Sequence, residues 1–433
     1  MKGAHCRVKH LISPFCCKIS FINLCISNRR CIFVQIWNQT PNLHTFYTTR
    51  MITRKIEQTL RDLIPYFKVI TITGPRQSGK TTLCKQVFPD YAYVNLEDIA
   101  VREQAATDPK AFLSAYTQGV IIDEAQNYPE LFSYIQVISD ANPDRRYVIT
   151  GSSNFSLLEN ISQSLAGRAA VLTLLPLSLQ ELDGLVTTDV STDTLLLKGC
   201  YPAVWAGIQP YHLLYPNYYT TYVERDVRRI VNVTNLRDFQ TFIRLAAGRV
   251  GTEFNASALS NAVGVSVKTI QSWLSILTAS YITFTLSPFY ENIGKRLIKA
   301  PKLYFFDTGL LCYLLGIETE QQLATHPLRG NIFENYVVVE AYKQLVNQGK
   351  EPNLYFYRDS SQHEVDLLRQ RSFQYEAYEI KSSQTFTRDF LSGLHYLGKL
   401  LGDRLIKSAV IYAGEEQTVS TLDGIVNYRL FKI

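Results

Sequence analysis

The stretch "GPRQSGKTT", Gly74 to Thr82, directly after the apolar run "KVITIT" at 68–73, constrains this chain more than any other. An apolar strand runs into a glycine; a second glycine, a lysine and a threonine then open a helix. Gly74 and Gly79 let the backbone curl so that successive N–H groups converge. Together with the positive end of the following helix they make a nest for phosphate. Lys80 reaches the terminal phosphates, and the Thr81 hydroxyl is the expected ligand of Mg2+. Pro75, Arg76, Gln77, Ser78 and Thr82 complete the cradle. The expected ligands are therefore the phosphates of a nucleotide and Mg2+.

The flanking pattern agrees with that loop. "YAYVNLED" (91–98), "GVIIDEAQ" (119–126), "RRYVITGSS" (145–153) and "AAVLTLLPL" (169–177) read as further strands. Helical stretches separate them, with Pro109 and Pro129 at helix starts and Gly167 ending the helix at 156–168. Continuously apolar strands alternating with helices predict an α/β, doubly wound parallel sheet.

Two adjacent carboxylates, Asp123 and Glu124, follow the run "VII". Asp123 is the candidate to hold the magnesium through a water, and Glu124 to polarise the attacking water. A solvated acidic turn is the plainer alternative. In "TGSSN" (150–154), Ser152, Ser153 and Asn154 are candidates to orient that water, or to cap a helix. Arg168 is a candidate to stabilise charge on the γ-phosphate, in cis or from a second subunit, against a surface salt bridge.

Composition excludes one class of partner. The net charge of +6 suggests an acidic ligand. Yet Lys2, Arg7, Lys9, Lys18, Arg29, Arg30 and Arg50 all fall in residues 1–50, where there is no Asp or Glu, and the remainder is nearly neutral. No general nucleic-acid footprint survives. Residues 1–50 read as a targeting extension or as lying upstream of a true start at Met51, the second of two methionines. A membrane anchor is disfavoured because charges interrupt the apolar runs. Beyond that segment Cys84, Cys200 and Cys312 are isolated, which predicts reduced core thiols and a cytosolic compartment.

"GPRQSGKTTL", "IIDEAQ", "TGSSN", "SLAGR" and "LLPLSLQEL" together resemble AAA-type P-loop ATPases whose core is followed by an uncharacterised C-terminal nuclease-like domain. The resemblance runs from Met51 to the C-terminus. It implies a sheet of order 5-1-4-3-2, ATP with Mg2+ as ligands, and a core at 51–178.

A helical lid is expected at 179–235. "GCYPAVW" (199–205) resembles a family landmark, with Cys200 where a second glycine is usual. Glu224, Arg225, Asp226, Arg228 and Arg229 are candidates to sense nucleotide or to bridge to a neighbour, against a solvated helix face. Residues 236–310 read as a winged-helix-like segment, with a turn at Gly264, a helix from about Ser266, and wing strands in "TFTLSPF" and "KAPKLYFF". Ile270, Trp273, Leu274 and Leu277 have core spacing, while Lys268 is a lone cation among Thr269, Gln271, Ser272 and Ser275. DNA contact and a packing role both stay open there.

In residues 325–433, Glu334 falls on a helix, Asp366 on a strand, and Glu379 and Lys381 on one face of the next strand. That ordered set resembles the PD-(D/E)xK nucleases. The resemblance implies that Asp366 and Glu379, assisted by Glu334, hold a metal and that Lys381 steadies a hydroxide. The expected function is a Mg-dependent ATPase coupled to this C-terminal half, with nuclease activity open. The alternative is a nucleotide-gated docking module without it. A homo-oligomer follows if Arg168 acts across a subunit boundary, and no membrane association is expected.

Overall fold

The computed structural model describes residues 52–142, 144–152, 163–186, 190–227, 235–289 and 300–433. The side chains of 224–227 are excepted, and upstream only the paired strands β1 (Ser20–Cys25) and β2 (Cys31–Ile36) are described. The readings made for the rest of residues 1–50, for Ser153 and Asn154, and for the charged groups of 224–229 lie outside the described residues.

The first unit is a five-stranded sheet. Its strands are β3 (Val69–Thr73), β4 (Ala92–Asn95), β5 (Val120–Asp123), β6 (Tyr147–Thr150) and β7 (Ala169–Thr173). They lie in the order β4-β5-β6-β3-β7 and every neighbouring pair is parallel. Counted within this unit the order is 2-3-4-1-5, which is the expected 5-1-4-3-2 read from the other edge. Alternation along the strands sends Val69, Val120, Ile122 and Ile149 to one core. Ile70, Ile72, Ile121 and Val148 go to the other. Helices Pro109–Ser114 and Leu131–Ala141 seal the first face with Phe112, Phe132 and Ile135. Helices Ile56–Leu63 and Lys80–Val87 seal the second with Ile56, Leu60, Leu83 and Val87. Pro109 does stand at its helix start, capped by Asp108.

After β7, Ser178 and Glu181 form a capping box that starts helix Leu179–Leu182. Short helices follow, among them Thr192–Lys198, Pro202–Trp205 and Tyr211–Tyr218, the last running into a π-helical stretch Tyr219–Val227. Helices Leu236–Ala247, Ala256–Val263 and Val267–Ala279 pack around Trp273, whose ring meets Phe239 and Phe242 at 5.4 and 5.5 Å. Gly264 turns the chain at φ 84° and Ser266 caps the third helix. Ile270, Trp273 and Leu277 are buried as the spacing predicts, and Leu274 packs at the margin.

The hairpin that follows is not a free wing. β8 (Thr283–Pro288) pairs antiparallel with β9 (Lys302–Phe305), and β8 also pairs in parallel with β10 (Leu354–Arg358). The hairpin thus becomes the edge of a seven-stranded sheet ordered β14-β13-β12-β11-β10-β8-β9. The other strands are β11 (Glu364–Arg371), β12 (Gln374–Lys381), β13 (Leu405–Tyr412) and β14 (Gly424–Asn427). Helix Arg329–Asn347 lies on one face of this sheet and helix Ser392–Leu401 on the other. One apolar core runs from Leu175 through Trp273 to Phe431, so the expected boundary near 310 falls inside continuous packing. Among the described residues no helix is long and apolar enough to cross a membrane.

Candidate functional site

The loop after β3 has the backbone its glycines anticipate. Gly74 sits at φ 142°, and a Cβ there would lie 2.2 Å from the Leu174 carbonyl oxygen. Gly79 is left-handed at φ 95° and caps helix Lys80–Val87. Gln77 adopts φ 62° without being glycine, a conformation that a side chain makes costly and that functional loops retain. The Lys80 ammonium folds back onto the loop, donating to the Gly74 and Pro75 carbonyls at 2.9 and 2.8 Å. Burial pushes its pKa down to about 8, against the opposing pull of Glu124 and Asp123. A cation so enclosed gains most from an anion in the same cradle. The buried Ser78 hydroxyl has no hydrogen-bond partner. Arg76 faces the Tyr222 ring at 5.9 Å, and Thr82 is exposed on the first helical turn.

Asp123 ends β5 at the mouth of this loop and is nearly buried. Its Oδ2 accepts from the Thr81 hydroxyl at 2.6 Å and from the Tyr93 hydroxyl at 2.9 Å. Its Oδ1 accepts from the Thr150 hydroxyl and from the Glu124 amide. Glu124 follows in the left-handed region at φ 51°. Its Oε2 accepts from the Ser152 hydroxyl at 3.1 Å and the Gln126 amide at 2.5 Å. Thr81, Asp123, Glu124 and Ser152 are thus one hydrogen-bonded group. The hydroxyl–carboxylate contact between Thr81 and Asp123 is the donor set that Mg2+ beside a phosphate requires, so the residues present fit that ion.

Arg168 is not part of this group. Ala169 pairs with Val69, so Arg168 stands before the starting end of the sheet, whereas the loop leaves the finishing end of β3. Its guanidinium makes two bonds to Asp140, at 2.8 and 2.9 Å, on the surface. A role in cis is therefore overturned by strand direction. Tyr93 and Thr150 were missed by sequence reasoning, although Thr150, a polar residue ending the apolar run "YVI", was a usable signal. Arg54 was also missed. It is buried and bonds the Ser78 carbonyl at 2.6 Å, and nothing local in "MITRKI" marks it.

The C-terminal candidates also converge. Asp366 Oδ2 accepts from the Ile380 amide at 2.8 Å and lies 3.8 Å from the Lys381 ammonium, which bonds Glu379 at 2.5 Å. Glu334 is engaged otherwise, by Lys302 at 3.2 Å and by the Tyr304 hydroxyl at 2.6 Å. Lys302, from β9, also pairs with Glu364 at 2.6 Å. Burial raises Glu379 to about 8, with Asp366 adding and Lys381 opposing. Burial raises Glu334 to about 7, with Lys302 opposing. Among the described residues no three carboxylate, imidazole or thiol groups are gathered to hold an ion. Glu334 is accordingly not brought in as a third ligand. Glu379 Oε2, however, is buried without a partner, and with Asp366 it fits a cation held by two carboxylates. Lys302, Tyr304 and Glu364 had no sequence signal, because a hairpin from another segment carries two of them.

Residues 66–183 match the model of an AAA domain, 190–321 a domain of unknown function (DUF8612) and 329–430 another (DUF4143). The uncharacterised proteins Rv2008c of Mycobacterium tuberculosis and Mb2031c of Mycobacterium bovis are each 30% identical over 419 residues, spanning 89% of this chain and 88% of theirs. The uncharacterised protein MJ1544 of Methanocaldococcus jannaschii is 25% identical over 358 residues, 76% of this chain and 77% of its own. Among solved structures, the Walker-type ATPase PABY2304 of Pyrococcus abyssi aligns with 62% of this chain and 99% of its own at 13% identity and a TM-score of 0.45.

Proposed function

This chain belongs to the family of the mycobacterial proteins Rv2008c and Mb2031c, and from that premise we propose that it is a Mg-dependent ATPase whose turnover acts on its C-terminal half. The observation that carries this reading is the joint placement of Thr81, Asp123, Glu124 and Ser152 around a glycine-shaped loop that encloses the Lys80 cation. Thr81 and Asp123 would hold Mg2+, which neutralises phosphate charge when bound. Loop amides and Lys80 bind and orient the triphosphate. Glu124, fixed by Ser152 and Gln126, takes a proton from the attacking water. Among the described residues, Cys84, Cys200 and Cys312 are free and buried, which supports a reducing, cytosolic setting.

Phosphate release by the full chain, measured alone and then with duplex and single-stranded DNA, tests the reading. Glu124→Gln should retain ATP but lose at least about a hundredfold in turnover. Lys80→Ala should weaken ATP binding itself. Unchanged release by Glu124→Gln would count against the assignment.

The unpartnered Glu379 oxygen favours a second reading, a metal-dependent nuclease site at Asp366, Glu379 and Lys381. Asp366→Ala and the intact chain, compared on plasmid DNA with Mn2+, decide it. Identical uncut substrate from both leaves the docking-module reading in place.

A further inference from the structure

Arg54 spends three donors in three directions. Nη1 donates to the Ser78 carbonyl at 2.6 Å, Nη2 to the Leu175 carbonyl at 2.7 Å, and Nε to Glu181 Oε1 at 3.0 Å. The C=O of a trans peptide and the N–H of the next residue point opposite ways. Holding the Ser78 carbonyl toward Arg54 therefore turns the Gly79 N–H away from it. The phosphate loop's shape thus depends on a guanidinium that belongs to a different segment.

The other two bonds grip the chain leaving β7. Glu181, with its side chain fully buried, also accepts from the Lys55 and Ser178 amides at 2.7 Å each. The same short stretch is gripped from its far side. Lys343 donates to the Leu177 carbonyl at 2.8 Å, and Glu340 Oε2 accepts from the Leu179 amide at 2.6 Å. Lys343 and Glu340 pair with each other at 3.1 Å, both buried, on helix Arg329–Asn347. That helix carries Glu334 as well. Residues 175–181 are thereby held between the phosphate loop and the long C-terminal helix. Buried charge-assisted bonds of this kind transmit displacement because none can lengthen cheaply.

We propose that Arg54 is a positioning residue of the phosphate loop, and that its clamp with Glu181, Glu340 and Lys343 makes helix 329–347 respond to nucleotide. The proposal rests on the ATPase reading above. Coupling of this kind is reciprocal, so a change at Glu340 must alter ATP affinity although it lies outside the loop.

Hydrogen exchange of the full-length chain, with and without saturating Mg-ATP, is the test, joined to ATP titrations of Arg54→Lys and Glu340→Gln. The expected result is slower exchange in both 74–82 and 329–347. Arg54→Lys should bind ATP about tenfold more weakly, as loss of charge-assisted bonds implies, and should abolish the response of the helix. Glu340→Gln should shift affinity about fivefold, a typical coupling. Protection confined to 74–82 overturns the proposal while leaving ATP binding intact, and wild-type affinity in Arg54→Lys removes the positioning role. Exchange that ATP changes nowhere would overturn the nucleotide reading and this proposal together. The wild-type arm needs no variant to fold.

Discussion

The Tyr281 hydroxyl lies 2.8 Å from the Thr73 hydroxyl, joining the corner after helix Val267–Ala279 to the residue just before Gly74. Tyr281 holds φ 56°, a conformation costly for a bulky residue, so the corner is fixed by its surroundings. Its neighbour Ser280 accepts from the Tyr222 hydroxyl at 3.0 Å, and the Tyr222 ring faces Arg76. The phosphate loop is therefore contacted from later parts of the chain at the residue just before it and at its third residue, Arg76.

Tyr281→Phe removes one buried hydroxyl contact and keeps the ring. Thr73 retains its bonds to Leu172 and Thr173. Urea denaturation should show a loss of about 1 kcal/mol, the usual net worth of such a bond. ATP affinity should stay within about twofold of wild type. A loss as large as that of Lys80→Ala would place Tyr281 in the nucleotide site itself.

Gly74→Ala tests the loop's shape without touching its charges. The added Cβ meets a backbone oxygen at 2.2 Å, and that backbone is tied by the Leu174 amide to the Thr73 carbonyl at 2.8 Å. Relief requires the loop to move away from β7. The expected outcome is a loss of roughly 2–4 kcal/mol in stability together with ATP binding too weak to titrate. Normal ATP binding in a folded Gly74→Ala chain would mean that the loop does not seat phosphate in this form.

Lys343→Met isolates the buried pair. Burial already raises the Glu340 carboxyl, and Lys343 opposes that rise. Without the lysine the folded value climbs further. Below the carboxyl's ordinary value of 4.5 the group is neutral in both folded and unfolded chains, so its charge costs nothing. Above it the unfolded chain ionises first and the folded state loses stability as pH rises. The variant should thus be less impaired at pH 5 than at pH 8, where about 3–5 kcal/mol is expected. Adding Glu340→Gln should remove that pH dependence. Denaturation midpoints of both variants at the two pH values check this.

The parallel sheet and the phosphate site were legible because their signals are local. Apolar runs of strand length, glycines at fixed offsets and Asp123-Glu124 at a strand exit each act within a few residues of themselves. The two wing strands were legible as strands, but β8 has two edges, and sequence does not show that the second is taken by β10, far along the chain. Arg54, Lys302 and Tyr304 were invisible for the same reason: each acts on partners that only tertiary packing supplies. The choice among the roles open to Arg168 was not legible, because nearness to "TGSSN" in sequence says nothing about which end of the sheet it occupies.

That end is where an adjoining subunit would have to approach, and it sets the last prediction. The Arg168–Asp140 pair is exposed on both sides, and the aspartate is held below its usual range by its bonds to the arginine. Exposed pairs of this kind add little to stability. Arg168→Ala should therefore leave the denaturation midpoint and ATP affinity unchanged. If Arg168 serves a neighbouring protomer's γ-phosphate, turnover in the wild type rises with protein concentration as chains assemble, and the variant loses that rise, by up to about a thousandfold at saturation. Asp140→Asn frees the guanidinium and should keep the rise. Sedimentation with and without ATP shows whether assembly accompanies it. Turnover per chain that is independent of concentration in all three proteins would assign Arg168 to the surface pair alone.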